Sequence, residues 1–192
     1  MKKKIALAAL AAIIIALCVG STAAYFTTTG VARNVITTGN VALELNETML
    51  NEQGEEIPFE DQTGVMPGQE VSKIVRVENT GNQPIFVRVL VEKKIELAES
   101  KQGEPDTDLI SFDINTEDWE EKDGFYYYKT PVEPGKEHET NPLFRKVIFA
   151  GKDMDDLYQG CKVTVSVTAY GVQTANNGEK ATEADGWPAV QK

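Results

Sequence analysis

The chain has 192 residues and a formal net charge of −11, because 30 Asp and Glu outnumber 19 Lys and Arg. This acidic surplus argues against nucleic-acid binding, which needs clustered basic residues to neutralise phosphates. The single histidine excludes a zinc site built on two or three imidazoles of one chain. Hydrophobic residues make up 41% and charged residues 26% of the chain, as in ordinary globular proteins. The length fits one domain of roughly 100–200 residues.

The first 23 residues have the pattern of a secretory signal peptide. Three lysines at positions 2–4 precede an uncharged apolar run over 5–19, and Ser21 and Ala23 supply the small residues of a cleavage site. The predicted mature chain therefore begins at Ala24. A retained anchor is the alternative, but an apolar run of fifteen residues is shorter than the roughly 20 that cross a bilayer. We expect a secreted protein that meets a membrane only through an uncleaved signal helix.

Cleavage after Ala23 changes both the charge and the cysteine chemistry. It removes three lysines and no acidic residue, so the net charge moves from −11 to −14. Cys18 leaves with the signal peptide, and Cys161 then has no partner for an intrachain disulfide. Alternation places Cys161 in phase with Val163, so we expect a small buried hydrophobic residue there.

Period-2 alternation dominates the rest of the chain and predicts an all-β protein. The segment 162–172 shows it most clearly, because valines and Ala169 alternate with Lys, Thr and Ser. Such a strand buries one face of an antiparallel sheet. Other strands are predicted over 71–78, 84–97, 125–128 and 143–150.

Turn residues separate the predicted strands and set the domain plan. The stretch 79–82 predicts a hairpin or tight reversal in which Gly81 or an Asn takes a positive φ. Several short strands between Gly, Pro and Asn turns are typical of one β-sandwich, here over 24–175. The tail over 176–192 has few β-branched residues, and we predict that it is loosely ordered apart from Trp187 and Pro188.

Candidate catalytic motifs are incomplete in this sequence. His138 and Glu139 begin a zinc-helix pattern, but Pro142 stands where the second histidine belongs. A nucleophilic Cys161 would need His138 beside it, and the spacing gives no support for that arrangement. The acidic turn over 153–156 resembles a solvated loop more than a calcium site, although carboxylates suit that cation. We expect no catalytic residue, no metal site and no cofactor.

The segment after the apolar run has familiar motifs. Small residues are followed by Ala24-Tyr25-Phe26-Thr27, a polar stretch, and an Asn-x-x-x-x-Gly turn; further on come Met-Pro-Gly at 66–68, Glu-Asn-Thr-Gly at 78–81 and Tyr-Gln-Gly at 158–160. These residues resemble the TasA, CalY and camelysin family of bacterial biofilm matrix proteins, which are exported through a SipW-type signal peptidase. The segment over 100–136 matches that family only loosely.

The resemblance implies a jelly-roll or immunoglobulin-like antiparallel β-sandwich that self-associates into extracellular fibres. It also implies a SipW-type signal peptidase as processing partner and a donor strand, over 24–35, that completes the sheet of the next subunit. The donor-strand residues are Ala24, Tyr25, Phe26, Val31 and Val35. Camelysin members also carry a metallopeptidase label, from which this chain departs because it has one histidine and no HExxH. A cell-surface metalloendopeptidase and a monomeric surface-binding module are the alternatives.

Overall fold

A computed structural model describes residues 26–29, 34–37, 41–135 and 138–190. The described residues confirm the predicted all-β class. Their strands are β1 (Phe26–Thr29), β2 (Asn34–Thr37), β3 (Glu44–Leu50), β4 (Glu56–Pro58), β5 (Gln62–Val65), β6 (Glu70–Ser72), β7 (Ile74–Glu78), β8 (Ile85–Glu96), β9 (Ile110–Phe112), β10 (Trp119–Lys122), β11 (Phe125–Tyr128), β12 (Lys146–Phe149) and β13 (Lys162–Gln173). Short 3-10 helices span Thr107–Leu109, Asp156–Tyr158 and Ala181–Glu183. The predicted signal helix lies outside these residues.

The strands form three sheets. A seven-stranded sheet has the order β10-β11-β8-β13-β1-β5, with β2 also paired to β13. Two three-stranded sheets have the orders β6-β12-β9 and β4-β3-β7. Most pairings are antiparallel, as predicted, but β1 and β2 run parallel to β13.

Strands β8 and β13 form the centre of the large sheet. They pair antiparallel over their whole length, from Lys162 opposite Glu96 to Gln173 opposite Ile85. On the inner face Val87, Val163 and Val167 are completely buried. These two strands confirm the predictions over 84–97 and 162–172, because alternating β-branched residues fit a pleated surface with one buried face.

One cluster of buried side chains joins all three sheets. Leu45 comes from β3, Phe149 from β12 and Val167 from β13. Cys161 belongs to the same cluster and is 1% exposed, which confirms its predicted burial. The three sheets therefore share one hydrophobic core.

The predicted strand over 71–78 is broken at Lys73. Strand β6 before it pairs with β12, and β7 after it pairs with β3, so the chain changes sheets at this residue. Lys73 is 2% exposed, its Nζ lies 2.8 Å from Oε1 of Glu47, and the ring of Phe59 lies 3.9 Å away. A buried ammonium group needs a charged partner, and Glu47 supplies one.

The turn over 79–82 is a crossover between sheets, and the predicted hairpin is wrong. Strand β7 belongs to the β4-β3-β7 sheet, whereas β8 belongs to the seven-stranded sheet. The completely buried Asn79 holds the crossover, since its Nδ2 donates to the carbonyls of Gln83 and Val132. No residue of the turn takes a positive φ. Gly81 provides space instead, because a Cβ there would lie 3.2 Å from the backbone nitrogen of Ala42, which is closer than an ordinary contact.

Candidate functional site

The candidate site is the edge of β13 that faces away from β8. Two short N-terminal strands occupy this edge in parallel orientation. Strand β1 pairs Thr27 with Lys162 at the beginning of β13, and β2 pairs Asn34 with Thr168 further along. We name the β13 edge over 162–171 the acceptor edge.

The predicted donor-strand segment contributes both of these strands in part. Phe26 begins β1, and Val35 lies in β2 opposite Ala169. Ala24, Tyr25 and Val31 lie outside the described residues, as do the predicted cleavage residues Ser21 and Ala23. Strand β2 ends at Thr37, two residues beyond the predicted end of the segment.

Strand β1 also connects β5 to the sheet. Its second edge pairs antiparallel with β5, with Thr27 opposite Thr63 and Thr28 opposite Gln62. Any strand in the position of β1 therefore completes hydrogen bonding on two sides, at β13 and at β5. Unpaired strand edges attract extended segments because their backbone N–H and C=O groups need partners.

The side chains of β13 pack closely beside the acceptor edge. Val163, Val165 and Val167 point into the main core and are at most 5% exposed. Gly171 pairs with Thr37 of β2, and a Cβ there would lie 2.6 Å from Cδ2 of Leu43, so the Leu43 side chain would have to move. Glycine at this position lets the loop that precedes β3 pack against the sheet.

The zinc-like motif at His138 is not a helix. Glu139 forms an isolated antiparallel bridge with Glu78, and the hydroxyl of the buried Thr140 accepts a hydrogen bond from the Val77 amide at 3.0 Å. His138 is exposed and lines a cleft of about 240 Å³ together with Glu133 and Glu139. An extended backbone places positions i and i+4 about 13 Å apart, too far to share one ion, whereas a helical turn brings them together.

A catalytic metal does not fit the residues that the structure describes. Within them, no group of three or more His, Cys, Asp and Glu side chains is placed to hold an ion. The acidic turn contributes a cap instead, since Asp155 accepts a hydrogen bond from the Leu157 amide at 2.8 Å. Met154 of the same turn is 5% exposed and joins the core.

Cys161 is an inert thiol at neutral pH. Burial raises the pKa of its Sγ to about 11, and a protonated thiol is a weak nucleophile. A thiolate mechanism through Cys161 therefore has no structural support.

Arg88 is a buried residue whose role the alternation pattern did not reveal. It is 9% exposed and lies among the rings of Phe125, Tyr170 and Trp187. The available signal was its phase, because Arg88 alternates with Phe86 on the outer face of β8. A large aromatic residue on the same face favours burial of that face, and a buried arginine can then stack on aromatic rings.

Comparison with known proteins places the chain in a family. The camelysin metallo-endopeptidase family matches residues 1–122, more than half of the 192 residues. The chain belongs to this family, which confirms the resemblance seen in its N-terminal motifs. Family members are cell-surface or secreted proteins. No curated protein and no solved structure matches the chain. Over the part of the chain that the structure describes, no helix has the length and hydropathy of a membrane span.

Proposed function

Starting from membership in the camelysin family, we propose that this chain is a secreted structural protein. Its copies assemble into extracellular biofilm fibres by exchanging their N-terminal strands. The observation that carries the proposal is the parallel pairing of β1 and β2 with the acceptor edge. The same backbone bonds form whether the two strands come from the same chain or from a neighbouring copy.

Exchange between copies leads to a filament because the contact is head-to-tail. Each copy has one donor segment and one acceptor edge, so a copy that accepts a strand still has its own strand to donate. Heterologous contacts of this kind do not close unless the rotation between copies forms a ring. The four-residue lengths of β1 and β2 keep the number of pairs broken during exchange small.

The charge of the chain favours specific pairing over random association. After the predicted cleavage the net charge is −14, and like charges repel at long range. At 0.1 M salt, the repulsion between charges more than about 10 Å apart is largely screened. We expect filament growth to accelerate as salt is added.

A metalloendopeptidase remains the second candidate because the family name specifies that activity. The single histidine and its extended segment do not support it. Casein cleavage that is lost both with a chelator and in His138→Ala would establish a peptidase. If neither filaments nor cleavage are found, the monomeric surface-binding module becomes the better explanation.

The proposal is tested by removing the donor strands. The mature chain beginning at Ala24 should form filaments in electron micrographs and scatter light, whereas a chain beginning at Thr38 should stay monomeric. A chain beginning at Asn34 keeps β2 alone and should assemble weakly. Unchanged assembly of the shortest chain would overturn strand exchange.

A peptide control separates lost pairing from misfolding. A synthetic peptide of residues 24–37 should bind the chain that begins at Thr38, because it restores both parallel pairings. The same peptide should also slow filament growth of the mature chain by occupying acceptor edges. A scrambled peptide of equal composition should do neither.

Mass spectrometry of the secreted protein should find Ala24 at its N-terminus, and that start should depend on a SipW-type signal peptidase.

A further inference from the structure

The C-terminal strap, residues 176–190, packs across the outer face of the seven-stranded sheet. It was predicted to be loosely ordered apart from Trp187 and Pro188, but its contacts begin earlier. Ala181 is 2% exposed and packs in a cluster with Phe86, Tyr127 and Val172. The Trp187 ring packs edge-on against Tyr127, with 5.8 Å between ring centroids. The strap therefore covers a specific part of the sheet.

Arg88 fastens the strap to the sheet. Its Nη2 donates to the carbonyl of Pro188 at 2.9 Å. Its guanidinium carbon lies 4.1 Å from the ring centroid of Phe125, 4.8 Å from that of Trp187 and 5.1 Å from that of Tyr170. A guanidinium held between rings and shielded from water interacts more strongly than an exposed one. We name Arg88 and Trp187 the strap latch.

The strap latch lies next to the half of the acceptor edge that pairs with β2. Across the large sheet Arg88 pairs with Tyr170, and Tyr170 pairs with Ile36 of β2. Arg88 therefore connects the strap to Tyr170, on the outer face of β13 where β2 pairs. At the β1 half of the edge Lys162 is exposed, and the strap cluster contains no residue from that half.

We infer that the strap latch positions residues 168–171 of β13 to accept β2. This inference rests on the proposed strand exchange. Covering the outer face removes Phe86 and Tyr170 from water and holds β8 and β13 at a fixed twist under the strap. A parallel strand can then pair along a rigid edge. Arg88 and Trp187 act through Tyr170 and are positioning residues, since neither belongs to the acceptor edge.

The test uses the full mature chain with Trp187→Ala. Amide hydrogen exchange of the monomer should accelerate by on the order of tenfold at Thr168–Gly171, because local opening becomes easier when its cover is lost. Exchange at Lys162–Thr164 should stay within about twofold of the unmodified chain. Filament growth, followed by light scattering, should slow several-fold.

Three further variants separate positioning from general damage. Trp187→Phe keeps a ring beside Arg88. Its amide hydrogen exchange and its filament growth should both match those of the unmodified chain. Arg88→Lys keeps the charge but lacks the planar guanidinium, so its effect should lie between those of the unmodified chain and Trp187→Ala. Val190→Ala changes an exposed strap residue and should behave like the unmodified chain.

The outcomes distinguish this inference from the proposed function. If the unmodified chain forms no filaments, strand exchange fails, and the hydrogen-exchange pattern still decides whether the latch holds the β2 half. If Trp187→Ala and Arg88→Lys leave exchange at Thr168–Gly171 unchanged, the latch inference is overturned even when filaments form. Should Trp187→Ala prevent folding, Arg88→Lys serves as the variant with a weakened latch and Trp187→Phe as its conservative control. Equal acceleration along the whole of β13 would also overturn the inference.

Discussion

The two edges of β13 are bonded in different ways. On one side β8 pairs antiparallel with every residue from Lys162 to Gln173. On the other side β1 pairs with Lys162–Thr164 and β2 with Thr168–Gly171, both in parallel orientation. The first edge joins two long strands of the core, whereas the second is covered by short strands near the N-terminus.

The difference distinguishes the central part of the sheet from the part that the proposed strand exchange would use. Side chains on β8 and β13 share the main core, so separating these strands exposes that core to water. Parallel pairing is slightly weaker per residue than antiparallel pairing, and short strands near a terminus are released at lower cost than central ones.

Val167→Asp should break the β8 edge. Val167 is completely buried between β8 and the rest of the core, so a carboxylate there would lack both water and a charged partner. We expect a loss of about 4 kcal/mol or more in the free energy of unfolding, measured by urea titration with circular dichroism. Ser166→Ala, one residue away and partly exposed, should change it by less than about 0.5 kcal/mol. A folded Val167→Asp chain of normal stability would contradict the central role of this edge.

Lys73→Met should destabilise the chain without acting on either edge of β13. It leaves the carboxylate of Glu47, 5% exposed, without its ammonium partner, which costs about 3–5 kcal/mol. The double variant Lys73→Met with Glu47→Leu should recover most of that loss, since apolar replacements of a buried pair are tolerated. Urea titration measures the free energy of unfolding of the single and the double variant. Wherever the variants remain folded, filaments should still form, and their absence would link assembly to overall stability.

Thr28→Pro should break only the exchangeable edge. Proline removes a backbone N–H from β1, which pairs with β13 and β5 at this residue. We expect filament growth in light scattering to fall to the weak level of the chain that begins at Asn34, while the free energy of unfolding changes by about 1 kcal/mol or less. Thr28→Val keeps the amide and should assemble normally. A loss of stability as large as that of Lys73→Met would mean that β1 is part of the central part of the sheet.

Cys161 should give a small, pH-dependent effect on stability. Its pKa is raised to about 11 by burial, whereas a thiol in the unfolded chain has a pKa of ~8.5. Between these values the unfolded chain loses a proton that the folded chain keeps, so the free energy of unfolding falls as pH rises. In urea titrations, the free energy of unfolding of the unmodified chain should decrease relative to that of Cys161→Ala between pH 8 and pH 10. The thiol of Cys161 should react with a thiol reagent at the same rate in monomer and filament, because Cys161 belongs to the main core.

Faces of single strands were predictable, whereas breaks and pairings were not. Alternation located β8, β11 and β13 to within a few residues. It did not separate β6 from β7, although Lys73 stands in phase with Val71 and Val75 and thereby signals a buried charge. At Asn79 the turn residues were recognised, but a crossover and a hairpin use the same residue types. Alternation assigns the tyrosines over 126–128 to opposite faces, yet Tyr127 and Tyr128 are both buried, because the C-terminal strap covers the face of Tyr127.

The sequence by itself determined the strand periodicity, the burial of Cys161, the incomplete zinc motif and the motifs of the family, because each depends on residues close together in the chain. Only the tertiary structure decided that β1 and β2 lie parallel on the acceptor edge and that Arg88 holds Pro188. Those contacts join segments that are up to about 135 residues apart. The strand propensity of neighbouring residues does not predict which distant segments will pair. Burial of a shared core selects them, since only the assembled sheets bring both segments to the same face.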